Sequence, residues 1–410
     1  MVLFLFGAAY TNWQQLTELQ EDRFDETVPQ GRFEDYVAFY TAGDFVLHGR
    51  GADLYDLDAI AERELEIMGR EVGGTGRLGF FNPPFVAVMF APLALLPVDV
   101  AALVLLGVNL ALALLAGVIL QRMLGIHGFA APIYWVGILS LYSLYWMLGH
   151  GQPSMFVLLG FLGFLGFQRK GLWKLSGLSL GLILIKPQMA ILPVLVLLYK
   201  RRWEELRSFS AVAALLVAVS VVVSGPAMLV EYPRFALNAG EWESEFAWQV
   251  QRMYGLNGLI AAVVDKDSLA HLLATTFACI GVGVFAVRGF RGEWKPSTPS
   301  FALAVAALVG ATILVNPHVW MQDMVMLPLI VALGYMASQG REQAAMFWVT
   351  LGTLVWAAQW ASLRVEATYG VNLQTPLLLA AFVVALWEIH VLARSKSRGV
   401  ASAPDELVAA

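Results

Sequence analysis

Apolar stretches long enough to cross about 30 Å of hydrocarbon recur along the chain. Spans are read near 100–121, 128–148, 153–168, 208–225, 268–287, 300–315, 318–337, 343–363 and 374–393. The stretch 172–199 is interrupted by Lys186-Pro187-Gln188. Proline breaks the helix ladder and a lysine at mid-membrane is costly, so two short helices meeting there fit better than one long helix. Residues 84–96 are apolar but bounded by Pro83, Pro84 and Pro97. A stretch that short is read as interfacial or re-entrant rather than as a crossing. The opening MVLFLFGAAY covers barely half a span and lacks a basic n-region and a small-residue cleavage site. It reads as a partial first helix, 1–13, and not as a signal peptide.

Basic residues orient this pattern. Arg122, the Arg169–Lys174 group, the Lys200–Arg207 group, the Arg288–Lys295 group, Arg341 and the Arg394–Arg398 group follow alternate spans. Together they make 15 of the 26 basic residues, all on one face if each span reverses direction. The intervening segments 226–267 and 364–373 hold only Arg234, Arg252, Lys266 and Arg364. By the positive-inside rule the first set is cytoplasmic. Residues 172–185 then run outward and 188–199 run back, which leaves Lys186 at the outer tip of a hairpin. The expected fold is an all-α polytopic membrane protein of about 11–12 transmembrane helices. Composition agrees: 59% of the 410 residues are hydrophobic and 14% charged, and mean hydropathy is +0.67. A soluble chain carries roughly 25% charged residues. The balance excludes a cytosolic enzyme, and net charge −5 offers no attraction for nucleic acid. A single cysteine, Cys279, excludes an internal disulfide framework.

Residues 14–82 stand apart, with 15 of the 31 acidic residues and 6 basic ones. The resulting division has an extracytoplasmic loop at 14–99, helices with the broken hairpin at 100–225 and a second outer loop at 226–267. C-terminal helices at 268–393 and a cytoplasmic tail at 394–410 complete it. Within the first loop, Tyr36, Phe39, Tyr40 and Phe45 fall at helical spacing, and residues 58–69 form a helix opening on the N-cap Asp58. Both read as amphipathic helices lying at the membrane interface.

Polar residues gather at the outer ends of spans: Glu34-Asp35, His150-Gly151-Gln152, Lys186-Pro187-Gln188, and Asn316-Pro317-His318 with Asp323. All four clusters face one compartment under the same topology. This set suits transfer of a group away from an anionic leaving group. A carboxylate can take a proton from an acceptor hydroxyl. A lysine, a histidine and amide donors can hold the departing phosphate and stabilise its growing charge. Plainer roles are open for each: solvated loop charge for Glu34 and Asp35, snorkelling for Lys186, an interfacial position for His318, and helix capping for Gln152 and Asn316. Trp242 and Trp248 fit a sugar face or a lipid headgroup equally. No HxxxH or HExxH spacing and no P-loop lysine is present, so neither a metal nor a cofactor is expected.

The stretch from Glu34 through DYVAFYTAGDFVLHGRGADLYD to Leu57 resembles the first outer loop of glycosyltransferase family 87. So do Phe81-Asn82-Pro83-Pro84 with the run Pro92-Leu93-Ala94-Leu95-Leu96-Pro97, Gly151-Gln152, Lys186-Pro187-Gln188, and Pro317-His318 with Asp323. The resemblance covers roughly 33–340, with motifs in family order. It implies a GT-C-type bundle and an inverting mannosyltransferase that uses a polyprenyl-phosphate donor and a lipid or glycan acceptor. The expected site lies on the extracytoplasmic face of the plasma (inner) membrane. On that pattern Asp35 is the catalytic base, and Lys186, His318 and Gln152 bind the donor phosphate. Glu34, Tyr40, Asn82, Gln188 and Asn316 are contacts to acceptor or sugar. Asn82 stands where the family usually has tyrosine, and Asn316 where it usually has serine. A transporter or flippase of lipid-linked sugars, or a polymerase or ligase of surface polysaccharide, is the alternative reading. Transporters also place charges at broken helices, but they usually show internal repeats, and this chain has none.

Overall fold

The computed structural model describes residues 5, 7–14, 35–73, 75–238 and 249–397. Among them the only regular elements are helices. Five are long and apolar enough to cross a membrane: Val98–Met123, Trp203–Ser224, Leu269–Arg288, Glu342–Ser362 and Gln374–Arg394. Ala130–Leu139 and Tyr142–His150 form a further apolar pair bent by 50°, a broken span or a re-entrant loop. Shorter apolar helices are Ser154–Arg169, Trp173–Ile185, Pro187–Tyr199, Pro299–Leu314 and Met321–Ala337. The protein is a polytopic helical membrane protein.

Pro299–Leu314 is the axis of the bundle. Its sequence is apolar on every side, and all its residues except Ser300 are buried. A helix without a polar face is stable only when it is surrounded. Here Leu269–Arg288, Leu327–Ala337 and Gln374–Ser397 pack around it. Thr298 caps its start by accepting from Phe301 N, and Pro299 occupies the first turn, where no amide donor is needed.

The bend near Ser140 was not legible in the sequence, and its freed carbonyls find partners. Asn12 Nδ2 donates to Leu139 O and Leu141 O, and the indoles of Trp356 and Trp360 donate to Ser140 Oγ and Ser140 O. Side chains thus satisfy the backbone groups that a kink releases.

The break at Lys186 gives a hairpin. A 3-10 turn, Gly181–Ile185, ends at Lys186, and a second, Pro187–Ala190, leads into Ile191–Tyr199. The outgoing arm starts and the returning arm ends beside the same neighbours. Gln168 Nε2 donates 2.9 Å to both Ser176 Oγ and Glu205 Oε1, and Lys200 Nζ donates 2.7 Å to Gly292 O. Gly177 lets the outgoing arm touch the next helix, since a Cβ there would lie 2.3 Å from Glu205 O. Arg202 pairs with buried Glu205 at this end. The basic loops after 169, 199 and 288 are therefore gathered at one end of the bundle, and Lys186 sits at the other.

The segment 84–96 is a short helix, Pro84–Phe90, followed by a 3-10 turn, Leu93–Leu95. It packs against Asp35–Leu47 and Trp203–Ser224. Asp35–Leu47 forms where aromatic spacing placed a helix, but every residue from Tyr36 to Phe45 is buried. The short Pro84–Phe90 helix covers the side that a surface helix would leave open. In Leu57–Met68 the N-cap is Asp56, whose carboxylate accepts from Asp58 N and Ala59 N. Asp56 has the extended backbone a cap requires; Asp58 already lies in the first turn.

Candidate functional site

Asp35 opens a helix held from several sides. Tyr36 Oη donates to Val98 O at 2.5 Å, and Tyr40 Oη donates to Leu96 O at 2.8 Å. Arg63 grips Asp44 with two bonds of 2.8 and 2.9 Å. These contacts fix the first turn against the entry to Val98–Met123. Asp35 Oδ2 then accepts 2.9 Å from Gln152 Nε2 and lies 3.0 Å from His150 Nδ1. His150 is buried and lies against the Trp146 ring, with centroids 4.6 Å apart. Asp35 keeps 36% of its side chain exposed, so its carboxylate has an open side.

Gly151 makes that meeting possible. It ends Tyr142–His150 with φ +65°, the left-handed cap glycine adopts readily. A Cβ there would lie 2.7 Å from Tyr36 Cβ. Buried Asn109 completes the turn by donating to Gln152 O at 3.4 Å.

Lys186 and Asp323 form the second half. Lys186 Nζ lies 2.5 Å from Asp323 Oδ1 and 3.3 Å from Ser154 Oγ, and Ser154 Oγ donates 2.9 Å to the same carboxylate oxygen. Asp323 Oδ2 accepts from Trp320 N, which sets the loop leading into Met321–Met326. The span read at 318–337 accordingly starts at 321, and His318 belongs to the connecting loop. Asn316 Oδ1 accepts from His318 N at 3.0 Å, and the imidazole lies between the rings of Phe81 and Trp320. Asn82 Nδ2 donates 2.8 Å to Ile185 O, and Tyr55 Oη donates to Asn82 O. The first loop is thereby tied to the tip of the hairpin.

The structure thus brings Asp35 together with Gln152, and Lys186 with the His318 loop. His318 feels the charges of Lys186, Asp323 and Asp35. Gln188 sits half-buried on the turn after Lys186. Tyr40 and Asn316 make bonds that shape the walls. Glu34, Trp242 and Trp248 lie outside the described residues. Two partners were named in the sequence without their roles: His150 on Asp35, and Asp323 on Lys186. Their signal was adjacency to the polar clusters. Among the described residues no three His, Cys, Asp or Glu side chains gather as metal ligands would.

Burial acts to raise the pKa of Asp35, but the charge and hydrogen bond of His150, the Gln152 amide and the His318 charge outweigh it. The net shift is downward, so Asp35 is ionised at neutral pH. For His318, burial and then the Lys186 charge push the pKa down to about 4, against the pull of Asp323 and Asp35. Its imidazole is neutral at pH 7 and offers a hydrogen bond rather than a full charge. The cation of the site is Lys186.

In this polytopic helical membrane protein Asp35 thus meets an imidazole and an amide donor, and Lys186 lies at a helix break. Residues 80–317 match the model of Glycosyltransferase family 87, more than half of the chain, and the chain belongs to that family. It is therefore a membrane glycosyltransferase, acting on a sugar donor and an acceptor. The match contains Asn82, Gln152, Lys186, Gln188 and Asn316, whereas Asp35 and His318 lie beyond its two ends. No curated protein and no solved structure matches the chain.

Proposed function

We propose that the protein transfers a hexose, mannose being the first candidate, from a polyprenyl-phosphate sugar to a lipid or glycan hydroxyl. The reaction takes place on the extracytoplasmic side of the plasma (inner) membrane and inverts the sugar's anomeric centre. The observation that carries this reading is the placement of Asp35: an ionised carboxylate, open on one side and held by His150 and Gln152, with Lys186 at the neighbouring hairpin tip.

In this mechanism the acceptor hydroxyl is held by Asp35. Its oxygen attacks C1 of the sugar on the face opposite the phosphate. The C1–O bond breaks, its electron pair leaves with the polyprenyl phosphate, and the hydroxyl proton passes to Asp35. A carboxylate with a lowered pKa is a weak base, so the proton moves late, once bond formation has made the attacking oxygen acidic. Lys186, with the neutral His318 donating a hydrogen bond, stabilises charge growing on the leaving phosphate. Lys186 is already paired with Asp323, so phosphate binding shares or displaces that contact. The surrounding buried side chains strengthen these interactions by excluding water.

The test is transfer from radiolabelled polyprenyl-phosphate-mannose in membranes containing the wild type or Asp35→Asn at equal abundance. The variant should lose transfer by about 10²-fold or more. Normal transfer by Asp35→Asn removes Asp35 as the base. Transfer from a nucleotide sugar instead of the lipid donor overturns the donor assignment.

A further inference from the structure

A cleft of about 770 Å³ opens at the basic end of the bundle, between the end of Leu269–Arg288 and the end of Gln374–Ser397. That volume lies within the range of about 300–1,000 Å³ typical of small-ligand sites. Its walls are apolar, with Phe290 and Phe301 at the base. Phe285 (55% exposed) and Trp387 (61%) stand on the outer, membrane-facing side. Its mouth is basic. Arg288, Arg291 and His390 line it, and neither arginine has an ion-pair partner among the described residues. The one carboxylate there, Glu293, lies 2.5 Å from Lys295 and so adds little net negative charge.

Apolar walls open to the side, with unpaired cations at the end of the helices, match one kind of molecule. A lipid places its chains between helices and its head at the interface, where arginine and tryptophan are suited to meet it. A soluble anion needs no apolar wall, and a zwitterionic head gains less from two unpaired guanidinium groups. We propose that this cleft binds an anionic glycerophospholipid, with the phosphate at Arg288 and Arg291 and an acyl chain along Phe285 and Trp387. The site lies at the opposite end of the bundle from Asp35 and Lys186 and is separate from the transfer reaction.

The experiment is native mass spectrometry of the purified full-length protein with dioleoyl phosphatidylglycerol, dioleoyl phosphatidylcholine or glycerol 3-phosphate. Phosphatidylglycerol adducts should persist where phosphatidylcholine adducts are stripped, and glycerol 3-phosphate should neither bind nor compete. Arg288→Gln/Arg291→Gln should weaken the phosphatidylglycerol adduct by about 30-fold, from roughly 1 kcal/mol per arginine at a lipid surface. Both side chains are exposed, and an unchanged melting temperature in phosphatidylcholine would show that the variant is folded. Trp387→Ala should also weaken the adduct, because it removes a wall and leaves the charges in place. Equal retention of phosphatidylcholine and phosphatidylglycerol, or an undiminished adduct in the double arginine variant, overturns the proposal. Glycosyl transfer is a separate readout: its loss in Asp35→Asn says nothing about this cleft.

Discussion

Lys186 Nζ lies 2.5 Å from Oδ1 of Asp323, and the pair joins the tip of the hairpin to a loop 137 residues further along the chain. Only 10% of the lysine side chain and 1% of the aspartate side chain are exposed. A buried pair of this kind is weak evidence for net stabilisation, but removing one partner leaves an uncompensated charge, at a cost of about 3–5 kcal/mol. Asp323→Asn should therefore lower the melting temperature sharply in fluorescence-detected size-exclusion chromatography. Lys186→Met/Asp323→Leu should recover much of that loss while remaining inactive, because it lacks the cation for the leaving phosphate. An Asp323→Asn variant as stable as the wild type would show that the pair does not hold the hairpin.

Gly151 offers a way to disturb Asp35 without touching its carboxylate. Alanine in a left-handed conformation costs about 1–2 kcal/mol wherever it occurs. At Gly151 the added methyl also meets Tyr36 Cβ at 2.7 Å and Leu105 Cδ2 at 2.9 Å. Gly128 has φ +58° with nothing within 4 Å of its Cβ position, so it reports the backbone term alone. Gly151→Ala should reduce transfer well below Gly128→Ala at matched abundance, because it pushes His150 and Gln152 away from Asp35. Equal transfer by the two variants would mean that the turn does not position the carboxylate.

His150 is expected to set the acid limit of the reaction. Among the influences that lower the pKa of Asp35, those of His150 are the largest. In the wild type the rate should fall only as pH drops below the ordinary carboxylate range, where Asp35 takes up a proton. His150→Ala removes the largest lowering influences and leaves burial, which raises the pKa, opposed only by Gln152 and His318. Its acid limb should therefore move to higher pH, with less activity left in mildly acid buffer. A limb that stays in place, measured as kcat against pH, would show that His150 does not tune Asp35.

The polytopic helical class and the break at 186 were readable because they depend on local sequence: apolar run length, proline, and lysine placement. Three prolines around a dozen apolar residues set 84–96 apart in the sequence, and a short helix and a 3-10 turn stand there. The pairings at the site were not readable. Nothing local to Lys186 selects Asp323 as its partner, and nothing local to His150 points its imidazole at Asp35. Those contacts follow from how whole helices stack, which a single sequence does not encode in any short window. The burial of Tyr36 to Phe45 was missed likewise, because aromatic spacing on a helix looks the same whether one side or all sides are covered.

The direction of the bundle in the membrane is the remaining point on which the site depends. Fifteen basic residues follow alternate spans, and contacts between 168 and 205 and between 200 and 292 show three of those basic loops side by side. Short loops rich in Lys and Arg stay on the cytoplasmic side during insertion, so the proposed orientation has Asp35 and Lys186 facing outward. In a Cys279→Ser background, Ala52→Cys lies on the exposed surface of the first loop and Gln339→Cys beside Arg341. A membrane-impermeant maleimide should label the cysteine at 52 in intact cells and the cysteine at 339 only after permeabilisation. The opposite pattern would put the carboxylate and the lysine in the cytoplasm. There a polyprenyl-phosphate donor would lose its rationale, since nucleotide sugars are available as direct donors.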